Sequence, residues 1–134
     1  MLVLAVAYLA TAAVFFGLDF LWLGKLATSF YKSQLGELMR ERPNLGAAGI
    51  FYLLYVAGIV YFAVHPNLLS GSPGQAFLAG AILGLIAYGT YDMTNLSTLK
   101  DWPLTLSLVD MAWGTLLTGT AAAAGTWITQ KMMM

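Results

Sequence analysis

Three carboxylates, Asp19, Asp92 and Asp110, lie within long apolar stretches of the chain. A charged side chain in hydrocarbon costs about 3 kcal/mol even on the gentler insertion scales, so these residues are expected to face one another, water or a ligand. At the rise of an α-helix, all three would lie within about 15 Å of the same end of the helices. We therefore predict a shared acidic site in one half of the membrane.

A stripe of residues on one predicted helix leads to Asp92. Its members follow one another at intervals of four, four, four and three: Gly80, Gly84, Tyr88, Asp92 and Asn95. This spacing places them on one helix face. Because glycines four apart let a neighbouring helix approach closely, the face is expected to turn into the bundle. A packing seam that merely ends in two polar groups is the alternative.

The predicted first and last helices share a short motif, an aspartate followed three residues later by a tryptophan. The pairs are Asp19 with Trp22 and Asp110 with Trp113. An indole N–H can donate a hydrogen bond to a carboxylate across the bundle, but tryptophans also anchor helices at the level of the lipid headgroups. We expect Trp22 to be such an anchor and Trp113 to lie deeper and line a cavity.

Composition defines the setting in which these residues act. Apolar residues make up 60% of the chain and charged residues only 9%, and the mean hydropathy is +0.77, which is typical of an integral membrane protein. The formal net charge is zero and the basic residues are scattered, so nothing indicates a nucleic-acid partner. The absence of cysteine excludes disulfides and thiolate metal sites.

The apolar runs predict an all-α membrane protein in which four transmembrane helices form a four-helix bundle. We expect one domain over residues 1–134, with spans at about 2–24, 46–64, 75–95 and 104–128. Pro66 and Pro103 lie at breaks between spans, where proline favours a turn or a first helical turn. The stretch from Lys25 to Asn44 mixes apolar and charged residues, which predicts a short amphipathic helix at the membrane interface.

Basic residues predict the orientation. Four of them lie in the first loop and one in the third: Lys25, Lys32, Arg40, Arg42 and Lys100. Basic loops remain on the cytoplasmic side, so these loops are expected there and both termini in the periplasm. We therefore expect a multi-pass protein of the bacterial inner membrane.

A polar string that ends the third span carries a family resemblance. It reads Tyr91-Asp92-Met93-Thr94-Asn95-Leu96-Ser97-Thr98-Leu99-Lys100-Asp101-Trp102-Pro103. Together with the flanking Asp-Phe-Leu-Trp and Asp-x-x-Trp-Gly elements, it resembles the hallmark of DUF2177, an uncharacterised family of small bacterial integral-membrane proteins. The resemblance covers nearly the whole chain and implies a compact four-span protein, with no established activity to carry over.

The predicted site residues fall into three groups. The polar site, which would hold a ligand, a proton or a cation, comprises Asp19, Tyr88, Tyr91, Asp92, Thr94, Asn95, Asp110 and Trp113. Lys100, Asp101 and Trp102 form a cytoplasmic loop, and Gly80 and Gly84 serve helix packing. No catalytic residue is assigned, because the single histidine, His65, is predicted at the opposite side of the membrane and no hydrolytic motif occurs.

No cofactor is predicted, although carboxylate and amide oxygens suit a divalent cation such as magnesium or calcium. We favour a proton- or cation-coupled transporter of a small solute, since a carboxyl group shut away from water can exchange a proton. A chain this small has little interior, so a transporter is expected to be a homo-oligomer. The alternatives are a non-catalytic accessory subunit of a larger membrane complex or a lipid-headgroup-binding protein, and an intramembrane enzyme that uses a metal.

Overall fold

The computed structural model describes residues 1–134 as five α-helices joined by short turns. The helices are α1 (Leu2–Leu21), α2 (Thr28–Leu35), α3 (Leu45–Ile59), α4 (Pro73–Thr98) and α5 (Leu104–Met133). Two of them continue into π-helical segments, at Trp22–Leu26 and Val60–Val64, and 3-10 turns follow at Gly36–Leu38 and His65–Asn67. The prediction of an all-α fold with a short helix between the first two long ones is confirmed.

Local sequence signals explain where the helices begin and end. The Asn44 side chain accepts a hydrogen bond from the Ala47 amide at 3.0 Å, and Ser72 accepts one from the Gln75 amide at 3.2 Å, so each caps a helix N-terminus. Helix α2 ends at Gly36, whose φ is +53°, a conformation that glycine adopts without strain.

Three helical stretches are long and apolar enough to cross a membrane: Leu2–Leu26, Leu45–Asn67 and Pro73–Thr98. Helix α5, predicted as the fourth span, has 30 residues and a length of about 45 Å, which also suffices for a crossing. It is less apolar because many of its residues are small or carry hydroxyl groups. Such residues suit a helix that packs against protein on several sides rather than against lipid.

Helix α5 is the central helix of the bundle. It packs most extensively against α4 and next against α1. A Cβ atom added to Gly80 would lie 2.7 Å from the Thr118 backbone oxygen, and one added to Gly84 would lie 2.8 Å from the Thr118 side chain. The α4 and α5 backbones therefore approach each other closely because α4 carries glycine at these two positions.

The inward faces of α1 and α4 both lead to an aspartate. The buried residues of α1 recur every four positions, at Ala7, Thr11, Phe15 and Asp19. Those of α4 recur in the same way and include Ala76, Gly80, Gly84 and Asp92. Because Asp19 and Asp92 continue these stripes, both carboxyl groups point into the protein and not toward lipid.

Helix α3 approaches the rest of the bundle mainly at its C-terminal end. The π-helical segment Val60–Val64 packs against α1, α4 and α5, whereas the backbone of Leu45–Ile59 lies close to α1. The N-terminal half of α3 thus diverges from α4. Side chains from both helices line the space between them.

Candidate functional site

A cavity of about 410 Å³ occupies the space between α3 and α4, at the end of the bundle where α4 ends and α5 begins. Its wall is mainly apolar and aromatic, and two acidic side chains interrupt it. The lining residues are Leu23, Tyr31, Leu35, Ala48, Phe51, Tyr52, Tyr55, Ala87, Tyr88, Tyr91, Asp92, Trp102, Leu106 and Asp110. Four of the residues predicted for the polar site are among them: Tyr88, Tyr91, Asp92 and Asp110.

Asp92 has the least usual environment in this wall. The residue is 0% exposed, and no N–H or O–H group donates a hydrogen bond to either of its carboxyl oxygens. The Asp110 carboxyl group is its charged neighbour. Two ionised carboxyl groups can only accept hydrogen bonds, so this pair repels itself unless a proton or a cation lies between the two.

Asp110 is held from its other side by helix α2. The Tyr31 hydroxyl donates a hydrogen bond to Asp110 Oδ1 at 2.7 Å and accepts one from Trp22 Nε1 at 3.0 Å. Burial, together with the Asp110 carboxyl group, raises the pKa of Tyr31 above its ordinary value. The hydroxyl therefore keeps its proton throughout the physiological range and remains a donor to Asp110.

Asp19 lies outside the cavity wall, in a neighbouring polar position. It is 6% exposed and accepts a hydrogen bond from Trp113 Nε1 at 3.2 Å, and the Tyr52 hydroxyl lies beside the same carboxyl group. Asp19 thus has a donor, in contrast to Asp92. Its carboxyl group holds the Trp113 indole, and the neighbouring Tyr52 lines the cavity.

The two Asp-x-x-Trp motifs interlock across the bundle. The indole rings of Trp22 and Trp113 stack with their centroids 4.4 Å apart and their planes 9° from parallel. Trp113 of α5 donates to Asp19 of α1. Trp22 donates to the Tyr31 hydroxyl, which in turn donates to Asp110 of α5. The Trp22 N–H is bonded within the protein, to the Tyr31 hydroxyl, and its level relative to the lipid headgroups stays a prediction. Trp113 does not line the cavity, contrary to expectation.

The loop between α4 and α5 folds back onto the site. Trp102 Nε1 donates to Ser107 Oγ at 2.9 Å, and the Trp102 ring contacts the Tyr91 ring edge to face, with centroids 5.7 Å apart. The residue before it, Asp101, has a φ of +61°, a left-handed conformation that aspartate tolerates better than most residues. This tight turn places Trp102 in the cavity wall. Lys100 and Asp101 themselves are exposed.

Two predicted residues lie away from the cavity. Asn95 is partly exposed and Thr94 is exposed, and neither lines the wall. The Thr94 backbone oxygen accepts hydrogen bonds from the Ser97 and Thr98 hydroxyls, at 2.9 and 2.8 Å. Both hydroxyls bond this one carbonyl group near the end of α4, as such residues do at helix ends.

Sequence reasoning missed the aromatic residues that α2 and α3 contribute. Tyr31, Tyr52 and Tyr55 line the cavity, and the Tyr55 and Thr118 hydroxyls form a hydrogen bond of 2.8 Å. A usable signal was present in the spacing. Tyr52 and Tyr55 in the second span are three residues apart, as are Tyr88 and Tyr91 in the third, and tyrosine hydroxyls within spans require polar partners.

The three aspartates do not converge on one point. No group of three or more His, Cys, Asp or Glu side chains is arranged to hold a metal ion. The site instead consists of a carboxyl pair, Asp92 and Asp110, in an aromatic cavity, and of a separate carboxylate, Asp19, that helps to position the aromatic side chains.

Comparison with known proteins bears on the family alone. No curated protein and no solved structure matches the chain. A family model described as "Predicted membrane protein (DUF2177)" matches residues 4–127. This match spans all five helices and includes both Asp-x-x-Trp motifs and the polar string at the end of α4. With its three apolar spans and its long C-terminal helix, the chain is a multi-pass membrane protein that belongs to the DUF2177 family.

Proposed function

We propose that the protein transports a small solute across the membrane in exchange for protons or cations, with Asp92 and Asp110 as the exchanging groups. The observation that carries the proposal is the fully buried Asp92 carboxyl group, which faces Asp110 at the wall of a cavity and has no hydrogen-bond donor. Adjacent carboxyl groups require a neutralising proton or cation. A proton and a cation that compete for this one site can be exchanged for each other, which is the basis of coupled transport.

The surroundings of the pair favour such competition. Five other titratable side chains face the carboxyl groups: Asp19, Tyr31, Tyr52, Tyr88 and Tyr91. None of them is basic, so no side chain supplies the missing positive charge. The proposal includes the predicted orientation in a bacterial inner membrane, with the cavity in the cytoplasmic half, and a homo-oligomeric assembly.

Proton-coupled flux into proteoliposomes tests this function. A small-molecule extract of a bacterial lysate is added outside vesicles that contain a pH-sensitive dye. The intact protein is expected to change the internal pH, and Asp92→Asn is expected to abolish the change, because an amide cannot release a proton. Glu41→Gln, which alters an exposed acid far along the first loop, is the matched control. An equal response from Asp92→Asn and the intact protein rules the proposal out.

An accessory or lipid-headgroup-binding role is the second candidate. It is favoured by the exposure of five basic residues in the two loops at the cavity end: Lys25, Lys32, Arg40, Arg42 and Lys100. Such a surface attracts anionic lipid or an acidic partner protein. Copurification of a fixed stoichiometric complex from native membranes, together with no flux from the isolated protein, would favour this role over transport.

A further inference from the structure

We infer that the cavity binds an organic ammonium ion that carries an apolar substituent, with the nitrogen between Asp92 and Asp110 and the substituent against the aromatic wall. The inference rests on the proposed function and names the class of its substrate. It comes from three features of the same cavity: the charge at its acidic end, the chemistry of its wall and its size.

The acidic end lacks both positive charge and hydrogen-bond donors. Asp92 accepts no hydrogen bond, although a buried carboxylate normally has several donors. An ammonium group supplies both, because it is cationic and each of its N–H bonds can donate to a carboxylate. An anionic group such as a phosphate would be repelled by the same pair.

The rest of the wall consists mainly of aromatic rings and offers few further polar contacts. Phe51, Tyr52, Tyr55 and Tyr88 line one region of the cavity, and the Tyr55 and Tyr88 rings meet edge to face with centroids 6.3 Å apart. The Tyr55 hydroxyl is already bonded to Thr118. Such rings stabilise an apolar substituent by burial and an adjacent cation by cation–π attraction.

The size of the cavity argues for an organic ion. Its volume of about 410 Å³ lies within the range of roughly 300 to 1,000 Å³ that is typical of small-molecule sites. A bare inorganic ion would leave most of this apolar space unfilled. The lack of a metal-holding group of side chains agrees with this assignment.

The ammonium group has two natural sources, a free amine and the ethanolamine headgroup of a phospholipid. Both present the same chemistry to the carboxyl pair. The lipid environment in the test distinguishes them, because phosphatidylglycerol carries no ammonium group.

The test is equilibrium binding of 2-phenylethylammonium to the full chain in nanodiscs of phosphatidylglycerol, measured by calorimetry. Its uncharged counterpart 2-phenylethanol and the small ion methylammonium are titrated in the same way. We expect 2-phenylethylammonium to bind at least about tenfold more tightly than either, since a hydrogen bond to a charged group contributes about 1.5 kcal/mol or more. Asp92→Asn and Asp110→Asn should each weaken it by a similar factor, and Glu41→Gln should not.

Equal affinity for the alcohol and the ammonium ion overturns the inference. This comparison uses only the intact protein, so it does not depend on the folding of any variant. Binding that survives both aspartate variants also overturns it. If phosphatidylethanolamine in the nanodiscs weakens the binding, the lipid headgroup competes for the site, and if it does not, the free amine is the ligand. Failure here with Asp92-dependent flux intact would reject the substrate class alone, whereas tight binding without flux would reject transport.

Discussion

At the scale of single residues, Tyr31 is the side chain on which the geometry of the acidic site most depends. Its hydroxyl joins Trp22 of the first span to Asp110 of the last, although Tyr31 itself belongs to the short helix between spans. One oxygen atom thus links three elements. Helix α2 is therefore part of the site and more than a connection on the membrane surface.

Replacing Tyr31 by phenylalanine tests this link. The change keeps the ring but removes the hydroxyl, so the Trp22 N–H loses its acceptor and Asp110 loses its donor. We expect the free energy of unfolding to fall by about 1 to 3 kcal/mol, measured by SDS titration of protein in mixed micelles. Tyr61→Phe is the control, because Tyr61 is 70% exposed. Equal losses from the two variants would contradict the link.

At the scale of elements, the contact between α4 and α5 holds the two carboxyl groups face to face. Its close approach depends on glycine in both helices: a Cβ atom on Gly114 would overlap the Tyr88 ring, and one on Gly84 would overlap the Gly114 backbone oxygen. Gly114 thus forms a recess for the Tyr88 side chain. Because Tyr88 also lines the cavity, this packing sets the shape of the cavity.

Gly84→Ala is expected to force the two helices apart. Overpacking of this kind typically costs about 1 to 3 kcal/mol, and the variant should unfold at a lower SDS fraction than the intact protein. Gly17→Ala is the matched control, since no atom from another helix lies within 4 Å of the position of the added Cβ. It should be neutral or slightly stabilising, as alanine favours helix over glycine. The close approach is not required if Gly84→Ala behaves like Gly17→Ala.

Much of this element structure follows from patterns in the sequence, and the exceptions have physical causes. Apolar runs and prolines predict the helices, and intervals of four residues predict that Gly80, Gly84 and Asp92 share the inward face. What such periodicity does not contain is the angle at which helices diverge. The cavity exists because α3 leaves α4 at its N-terminal half, so its walls, including Tyr52 and Tyr55, emerge only from tertiary packing.

The acidic site was predicted from the sequence only in part, for a similar physical reason. The depth of Asp19, Asp92 and Asp110 could be estimated from helical rise, but rotation about each helix axis decides which carboxyl groups meet. Asp92 and Asp110 meet across the α4 and α5 contact, while Asp19 faces Trp113. The motif spacing alone does not determine that each tryptophan is hydrogen-bonded toward the aspartate of the other helix.

At the scale of the whole molecule, both loops that carry basic residues lie at the cavity end, and the His65 turn lies at the other. The chain contains no cysteine, so single cysteines introduced on either side report topology without a background. Ser33 and Ser70 are exposed and lie at opposite ends of the bundle. Both positions therefore suit labelling.

We expect a membrane-impermeant maleimide to label Ser70→Cys in intact bacterial cells and Ser33→Cys only after the membrane is permeabilised. The reason is the preference of basic loops for the cytoplasmic side. The reverse pattern would place the cavity in the periplasmic half and would invert the proposed direction of access. Equal labelling of both positions in intact cells would indicate a dual orientation.

The stacked indoles of Trp22 and Trp113 have an optical consequence. Two parallel indole rings 4.4 Å apart couple their electronic transitions, so the native chain should show an exciton couplet in its circular dichroism spectrum that the other two tryptophans do not produce. Each ring is linked by hydrogen bonds to a different one of the two acidic positions. Any displacement of α1 relative to α5 would therefore alter this signal. The protein thus contains an intrinsic, label-free reporter of rearrangement beside its cavity.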